Sequence, residues 1–395
     1  MKQFRSLMDR IFPPIQPLPA GIYHYQAPAD ADFPYRLHLR IEEDGQGLLI
    51  VNASTVVHLN PTATEYAYHL VQATPEEEAI AQIAKRYNVR KEVVRQDFAD
   101  LRARIETLID TPDLDPVAYL DFERDEPYSG VRSAPYRIDC ALTYRLPDEG
   151  AGSLAPVDRV KRELTREEWT QVFDKAWEAG IPHAVLTGGE PTLRPDLTDL
   201  IAHAEKLGMV TGLITNGLRL AETGYLHDLL LSGLDHVTIL LDPAEDQCWE
   251  ALRDTLAEDI AVTVHLTLTQ KVLPDFNTIL DRLVEMGVQN LSLSADTLDL
   301  KSELQADRDA LAERQLHLIW DMPVPYSQFH PVAVELAEGT PDRDVVSTGP
   351  GRGWLYIEPD GDVLPGQGYY QTVLGNMLTD SWETIWKNAS ENAPG

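Results

Sequence analysis

Residues 187–193 read TGGEPTL and directly follow Ala184-Val185-Leu186, a short apolar segment of the kind that forms a buried strand. Two adjacent glycines let the backbone approach another group closely, and a carbonyl at a strand end can accept a hydrogen bond from an ammonium group. Ligands commonly bind at the carboxyl ends of parallel strands. The stretch therefore predicts a ligand-binding turn, and the alternative is a glycine turn kept for packing alone.

Strand-like and helix-like segments alternate on both sides of this turn. The alternation predicts parallel β/α units, hence an α/β fold. A Rossmann-like open sheet is the alternative, although no GxGxxG turn follows any strand. The predicted strands are 136–143, 183–186, 210–214, 236–241, 261–268 and 290–294, and the predicted helices include 167–179, 196–207 and 276–286.

The GGEP stretch at the end of its strand resembles the S-adenosylmethionine (SAM) amine-binding motif of the radical SAM superfamily. The resemblance implies a partial (β/α)6 TIM-like barrel over residues 135–330. It also implies a SAM pocket, if that pocket is retained, formed by Gly188, Gly189, Glu190, Pro191, Thr215, Asn216 and Asp242. In family members a serine often lies two residues before the aspartate, where this chain has Leu240.

Family members hold a 4Fe–4S cluster on CxxxCxxC in the loop after the first barrel strand. At that spacing this chain has Leu146, Gly150 and Ser153. Iron–sulfur clusters need soft thiolate ligands, and the chain has two cysteines in all, Cys140 and Cys248. We therefore expect no iron–sulfur cofactor, with SAM as the cofactor that the barrel could still bind.

Other polar residues near the predicted mouth offer weaker signals. Asp148 and Glu149 could bind a hard metal ion, but two carboxylates on a loop are more often solvated, so we expect no metal site. Polar catalysis independent of a cluster could use Glu190 and Asp242, with His183 or His265. A histidine in a strand is more often a satisfied structural group than a catalytic one.

Residues 331–395 resemble the SPASM or twitch extension of the same family, a β-hairpin that carries auxiliary-cluster cysteines. The segment 359–362 (PDGD) predicts its turn, since proline fixes φ and glycine supplies a positive φ. The family cysteines would lie at Thr348 and Gly366. The resemblance therefore implies a degenerate extension.

Residues 35–112 form a second predicted domain, after a lead-in of residues 1–34 and before a linker of residues 113–134. Two β-like stretches, 35–41 and 48–51, precede three helices. Asn60 predicts the cap of the first helix, and Thr74 with Glu77 predicts a capping box for the second. The third, from about 91 to 108, carries one apolar face of Val94, Phe98, Leu101, Ile105 and Leu108.

This domain resembles the PqqD-like peptide chaperone of pyrroloquinoline quinone biosynthesis, also called a RiPP recognition element. The resemblance implies a winged-helix fold that binds a leader peptide as an added strand beside its hairpin and third helix. The alternative is a generic helical appendage.

The chain of 395 residues carries a formal charge of −31. Such an acidic surface argues against nucleic-acid and membrane partners, and it suits either solubility or basic peptide partners. No apolar run is long enough for a membrane helix, and two cysteines fit a cytoplasmic protein without disulfides.

Three functions remain open from the sequence. The first is a radical SAM-like pseudoenzyme that binds a precursor peptide or a partner maturation enzyme. The second is a SAM-binding protein or non-radical SAM-dependent enzyme that uses the GGEP pocket. The third is a cluster-free enzyme whose reaction the sequence does not name.

Overall fold

The computed structural model divides the chain into two compact units, Met1–Arg132 and Ser133–Gly395. It describes residues 18–28, 35–52, 55–111, 116–120, 122, 132–147, 156–300, 303, 311, 313–319, 322–324 and 349–393. Most of the predicted lead-in and linker lies outside these residues. Within them, no helix is both long enough and apolar enough to cross a bilayer.

The first unit is an antiparallel sheet packed against helices. Its four strands run in the order β1-β2-β3-β4, each antiparallel to the next. The elements are β1 (Gly21–Gln26), β2 (Arg36–Ile41), β3 (Gly47–Val51), β4 (Thr55–Leu59), α1 (Pro61–Val71), α2 (Glu76–Tyr87), α3 (Lys91–Asp110) and the short α4 (Pro116–Leu120).

The helices of this unit largely follow the sequence signals. Asn60 caps α1, since its side chain accepts a hydrogen bond from the Ala63 N–H at 3.0 Å. The five apolar residues predicted for one face of α3 are all buried. The predicted capping box of α2 is wrong, because Pro75 is the cap residue and the Thr74 hydroxyl instead contacts His69 Nδ1 at 3.2 Å.

Two strands of the first sheet were not predicted. β1 lies inside the predicted lead-in, where Tyr23 and Tyr25 pack against the core of the unit. β4 directly precedes the Asn60 cap, in a segment for which no strand was predicted from the sequence, and its buried residues alternate with period two. Because β1 and β4 end the strand order, each presents one edge that no described strand covers.

The second unit is built on a sheet of ten strands in the order β11-β10-β9-β8-β7-β6-β5-β12-β13-β14. Its elements are β5 (Arg137–Thr143), α5 (Arg166–Glu178), β6 (His183–Gly188), α6 (Leu197–Leu207), β7 (Val210–Thr215), α7 (Tyr225–Leu231), β8 (His236–Leu240), α8 (Asp246–Leu256), β9 (Ala261–Leu268), α9 (Phe276–Glu285), β10 (Asn290–Ala295), β11 (His317–Leu318), β12 (Trp354–Ile357), β13 (Asp362–Leu364), β14 (Gly375–Asn376) and α10 (Trp382–Asn392).

Strands β5 to β11 are parallel and follow one another in chain order. A Rossmann-like sheet reverses its strand order at a switch point, and the seven strands show no such reversal. Right-handed crossovers between sequential parallel strands place the connecting helices on one face. The second unit is therefore an α/β fold with a parallel sheet, and its closure into a partial barrel stays a prediction.

The last three strands extend this sheet beside β5. β12 pairs with β5 in parallel, and β13 and β14 add antiparallel neighbours. The predicted turn is present between β12 and β13, where Gly361 has φ +90°. This arrangement places the C-terminal hairpin next to the strand that precedes the predicted cluster loop.

Candidate functional site

The two glycines of the TGGEPTL stretch serve a close approach between two chain segments. The Gly189 N–H donates to Thr143 O at 2.6 Å and the Glu190 N–H donates to Arg145 O at 2.8 Å. A Cβ at Gly188 would overlap the Thr143 carbonyl, and a Cβ at Gly189 would overlap that of Arg145. Gly188 also has φ +123°. The glycines therefore let the turn after β6 lie directly on the segment after β5.

Glu190 is a buried carboxylate, 2% exposed. Its Oε1 accepts from the Thr192 N–H at 3.0 Å and from the hydroxyls of Thr192 and Thr215 at 2.6 and 2.8 Å. Its Oε2 accepts from the Asn216 N–H at 2.8 Å. Burial raises the pKa of Glu190, and these four donors oppose that rise by favouring the anion. Glu190 thus joins the end of β6 to the end of β7.

Six of the seven predicted SAM-binding residues lie together at these two strand ends. Asp242 is separate from their hydrogen-bond network: its side chain is exposed, and its Oδ1 accepts from the Ala244 N–H at 2.9 Å. Cys248 lies between the two groups, because its thiol donates to Asn216 O at 3.3 Å and also interacts with the Asp242 backbone. Burial raises the pKa of this thiol.

Asp242 instead lines a cleft of about 550 Å³ at the carboxyl ends of β8 and β9. Lys271, Arg282 and Trp249 line the same cleft. Sequence reasoning missed these three residues, which form no motif and come from a loop and two helices. One sequence signal could have identified the two cations of the cleft. They are basic residues of a strongly acidic chain and lie within 50 residues of the aspartate that follows a strand.

The loop after β5 is described at its two ends. Leu146 is half-buried, whereas Asp148, Glu149, Gly150 and Ser153 lie outside the described residues. One residue from each end of this loop contacts the same carboxylate in the C-terminal hairpin. Glu358 accepts from the Tyr144 hydroxyl at 3.0 Å and pairs with Arg159 at 2.6 Å.

Of the two predicted auxiliary-cluster positions in the C-terminal region, the structure describes only Gly366. Thr348 lies outside the described residues, and Gly366 is buried, with Pro350 3.2 Å from where its Cβ would be. Glu358, Asp360 and Asp362 form a group of three carboxylates. Glu358 is neutralised by Arg159, and Asp362 accepts from Asn376 at 2.9 Å. We therefore assign no metal to this group.

The predicted histidines fall at opposite ends of the parallel sheet. His265 is buried near the carboxyl end of β9, with Nδ1 3.0 Å from the Ser292 hydroxyl and Nε2 2.8 Å from that of Ser294. The Thr267 hydroxyl is 3.3 Å from the same Nε2. Both ring nitrogens are therefore engaged by neighbouring hydroxyl groups.

His183 lies at the amino ends of the strands, where its Nε2 is 2.8 Å from Nε2 of His236. The His236 ring occupies the space that a side chain at Gly212 would fill. Burial and the nearby Arg137 lower the pKa of His236 to about 4, and burial, His236 and Arg137 also lower the pKa of His183 well below its usual value. The pair is a neutral structural contact at the end of the sheet opposite the GGEP turn.

Stability of the second unit should rise with pH between about 4 and about 6.5. In this window the unfolded chain holds protons on His183 and His236 that the folded chain does not, so lowering the pH favours unfolding. Urea midpoints measured by tryptophan fluorescence check this, because all seven tryptophans lie after residue 132. His236→Asn should flatten the dependence, whereas His227→Asn, at an exposed position of α7, should not. An unchanged slope in His236→Asn would contradict the assignment.

Comparisons with known proteins place this geometry in a family. A model of the Radical SAM superfamily matches residues 140–266. A PqqA peptide cyclase from Streptomyces rochei is 30% identical over 284 residues, covering 64% of this chain and 76% of that protein.

Two crystal structures of Streptococcus suis SuiB share the fold. The structure bound to S-adenosylmethionine has a TM-score of 0.57 at 15% identity and covers 89% of this chain and 87% of that one. The structure bound to precursor peptide SuiA has a TM-score of 0.58 at 16% identity and covers 88% and 86%.

The expectation of no iron–sulfur cofactor is overturned by the family match. Radical SAM enzymes normally use an iron–sulfur cluster, and the matched span begins at Cys140. In this structure Cys140 lies on the same face of β5 as Ile138 and Leu142, in the core shared with the helices. Burial raises the pKa of its thiol well above the usual range. The described residues do not fit the thiolate set of such a cluster, and we derive no chemical step through one.

The family assignment thus rests on three kinds of observation that agree. The parallel strands follow in chain order, the GGEP turn closes the second of them, and a relative with 30% identity matches over 76% of its own length. The chain belongs to the radical SAM superfamily.

Proposed function

We propose that the chain binds a precursor peptide during peptide maturation, through residues 35–112. The observation that carries the proposal is the edge of β4, which leads at Asn60 into a groove between α1 and α3. An exposed strand edge can pair with an extended peptide through main-chain hydrogen bonds, while a neighbouring groove selects side chains. A peptide cyclase as a relative, and SuiB solved with its precursor peptide, support a peptide as the ligand class.

The groove favours a basic or polar peptide segment. Its volume is about 270 Å³, and Tyr66, Asp97, Asp100 and Arg104 are among its lining residues. The Tyr66 hydroxyl is 3.4 Å from Asp97, and burial together with that carboxylate raises the pKa of Tyr66 to about 12. Two carboxylates against one guanidinium leave a net negative groove, which matches the charge of −31 for the chain.

Calorimetric titration with short peptides encoded beside the gene tests this proposal. We expect one such peptide to bind the full-length chain with a micromolar Kd, and Asp97→Lys with Asp100→Lys to weaken it at least about tenfold, the scale of lost charge-assisted contacts. Glu92→Lys with Asp110→Lys, at two exposed positions outside the groove on the same helix, is the control with the same change of charge. Equal weakening by this control would point to bulk charge, and no binding by any peptide would refute the proposal.

A narrower form of the proposal is that the chain is a pseudoenzyme that contributes binding rather than radical chemistry of its own. Leu146 is apolar, and Glu190 already accepts hydrogen bonds from four donors of its own chain. Both features support a barrel kept for its shape. SAM incubated anaerobically with the chain, a reductant and the bound peptide should remain intact, and its reductive cleavage would refute this form.

The second candidate is a SAM-binding protein that uses the turn after β6. The SAM-bound SuiB structure, which shares the fold, favours testing it. The backbone N–H groups of Gly189 and Glu190 already donate to the segment after β5. SAM would therefore need carbonyls or side chains at this turn, and a calorimetric titration with SAM decides whether the chain provides them.

A further inference from the structure

The cleft between α8 and α9 is a second candidate binding site in the second unit. It opens at the carboxyl ends of β8 and β9, and its volume of about 550 Å³ lies within the range of small-ligand sites. Of the predicted SAM-binding residues it contains Asp242. Glu190 and its hydrogen-bond partners do not line it, so its chemistry must be judged from its own residues.

A stacked arginine forms one wall of this cleft. The Trp249 ring is 2% exposed, and its Nε1–H donates to Pro243 O at 3.1 Å, which fixes the indole. The Arg282 guanidinium lies over that ring, 3.7 Å from its centroid. Stacking of this kind holds the guanidinium plane while its N–H edge stays available to a planar anion.

The charges lining the cleft are equal in number but differ in how they are compensated. Asp242 accepts a backbone hydrogen bond from Ala244, and Asp275 lies at the start of α9, where the helix dipole favours a carboxylate. Lys271 and Arg282 form no ion pair with any residue that the structure describes. Among the described residues, neither cation of the cleft thus has an ion-pair partner, although two carboxylates line the same cleft.

We propose that this cleft binds the carboxylate side chain of a glutamate or aspartate in the peptide partner. Arg282 supplies the planar pair of donors that matches a carboxylate, and Lys271 supplies a second positive charge. The apolar wall formed by Val272 and Ile279 suits the methylene stem of the acidic residue. The peptide as the source of the carboxylate rests on the proposed function, whereas the carboxylate itself follows from the cleft.

The Trp249 indole N–H provides a direct probe of the cleft in the full-length chain. We would record the seven indole signals by TROSY NMR, assign Trp249 with Trp249→Phe, and titrate with N-acetyl-L-glutamyl amide. We expect a saturable shift of the Trp249 signal with this probe. The neutral isostere N-acetyl-L-glutaminyl amide should cause none.

Matched variants separate the two cations from general charge. Arg282→Gln and Lys271→Gln should each weaken the response about tenfold, the scale of one lost charge-assisted contact. Arg253→Gln, at an exposed position of α8 outside the cleft, should leave it unchanged. An equal shift with the glutaminyl probe, or a response that survives Arg282→Gln and Lys271→Gln together, would overturn the proposal.

Further measurements show whether the carboxylate comes from a peptide or from a free acid. They also distinguish a failure of the cleft proposal from a failure of the proposed function. A response to succinate without one to the blocked glutamate would overturn the peptide assignment in favour of a free small acid. Leader binding to residues 35–112 is measured on its own. Intact leader binding with a silent Trp249 therefore overturns the cleft alone, and an intact Trp249 response without leader binding supports the carboxylate site while refuting the proposed function.

Discussion

Replacing Glu190 by alanine should lower the free energy of unfolding of the second unit by about 4 kcal/mol. The substitution leaves two backbone N–H groups, of Thr192 and Asn216, and two threonine hydroxyls without their acceptor in a buried site. Each orphaned buried donor costs about 1–3 kcal/mol, and local rearrangement recovers part of the sum. Urea unfolding followed by tryptophan fluorescence measures the loss.

Two variants show whether the loss arises from the hydrogen bonds. Glu190→Gln keeps the shape but turns one acceptor into a donor that faces the Asn216 N–H, so we expect about half the loss. Glu222→Ala removes an exposed carboxylate whose contact with Arg219 is 3.4 Å long, and its effect should stay below about 0.5 kcal/mol.

The size of the Glu190 effect decides between two roles for the residue. A large loss in the free energy of unfolding means that the main role of the carboxylate is to join the ends of β6 and β7. Any reduction in ligand binding by Glu190→Ala would then have to be corrected for the fraction of unfolded protein. A loss under about 1 kcal/mol would mean that the four contacts contribute little to stability. Glu190 would then be a residue retained for a ligand.

The periodic parts of the fold could be predicted from the sequence because burial alone sets their pattern. The apolar face of α3 follows from a spacing of 3.6 residues between its apolar positions. The parallel strands from β5 to β10 follow from short apolar runs. β4 was missed because its five residues lead straight into α1, and a period of two is short over so few positions. β1 was missed because proline and alanine around it indicated an extended segment.

The candidate site was predictable where a motif occupies consecutive residues. TGGEPTL identified the turn after β6 and contains Thr192, which supplies two of the four donors to Glu190. The other two donors, from Thr215 and Asn216, come from the end of β7, 25 and 26 residues further along. The His183–His236 contact spans 53 residues and depends on the clearance over Gly212. The pairing of Arg282 with Trp249 depends on the packing of two helices. Such contacts follow from three-dimensional packing and leave no local pattern.

Replacing Gly189 by alanine should destabilise the second unit by roughly 3 kcal/mol, the upper end of the range usual when a packed interior is overfilled. The added Cβ would overlap a backbone carbonyl, that of Arg145, and a backbone atom cannot rotate away as a side chain can. Gly188→Ala meets the Thr143 carbonyl in the same way and adds the strain of φ +123°, so it should cost more. Thermal and urea unfolding by tryptophan fluorescence measure both.

Gly224→Ala separates strain from overlap, because Gly224 has φ +83° and no heavy atom within 4 Å of its added Cβ. It should cost about 1 kcal/mol, the penalty of a left-handed backbone alone. Because Gly189 has no positive φ, the cost of Gly189→Ala measures the contact with the segment after β5. If Gly189→Ala lowers the stability no more than Gly224→Ala does, the segment after β5 moves aside at little energetic cost. The glycines would then be kept for the approach of a ligand rather than of the chain itself.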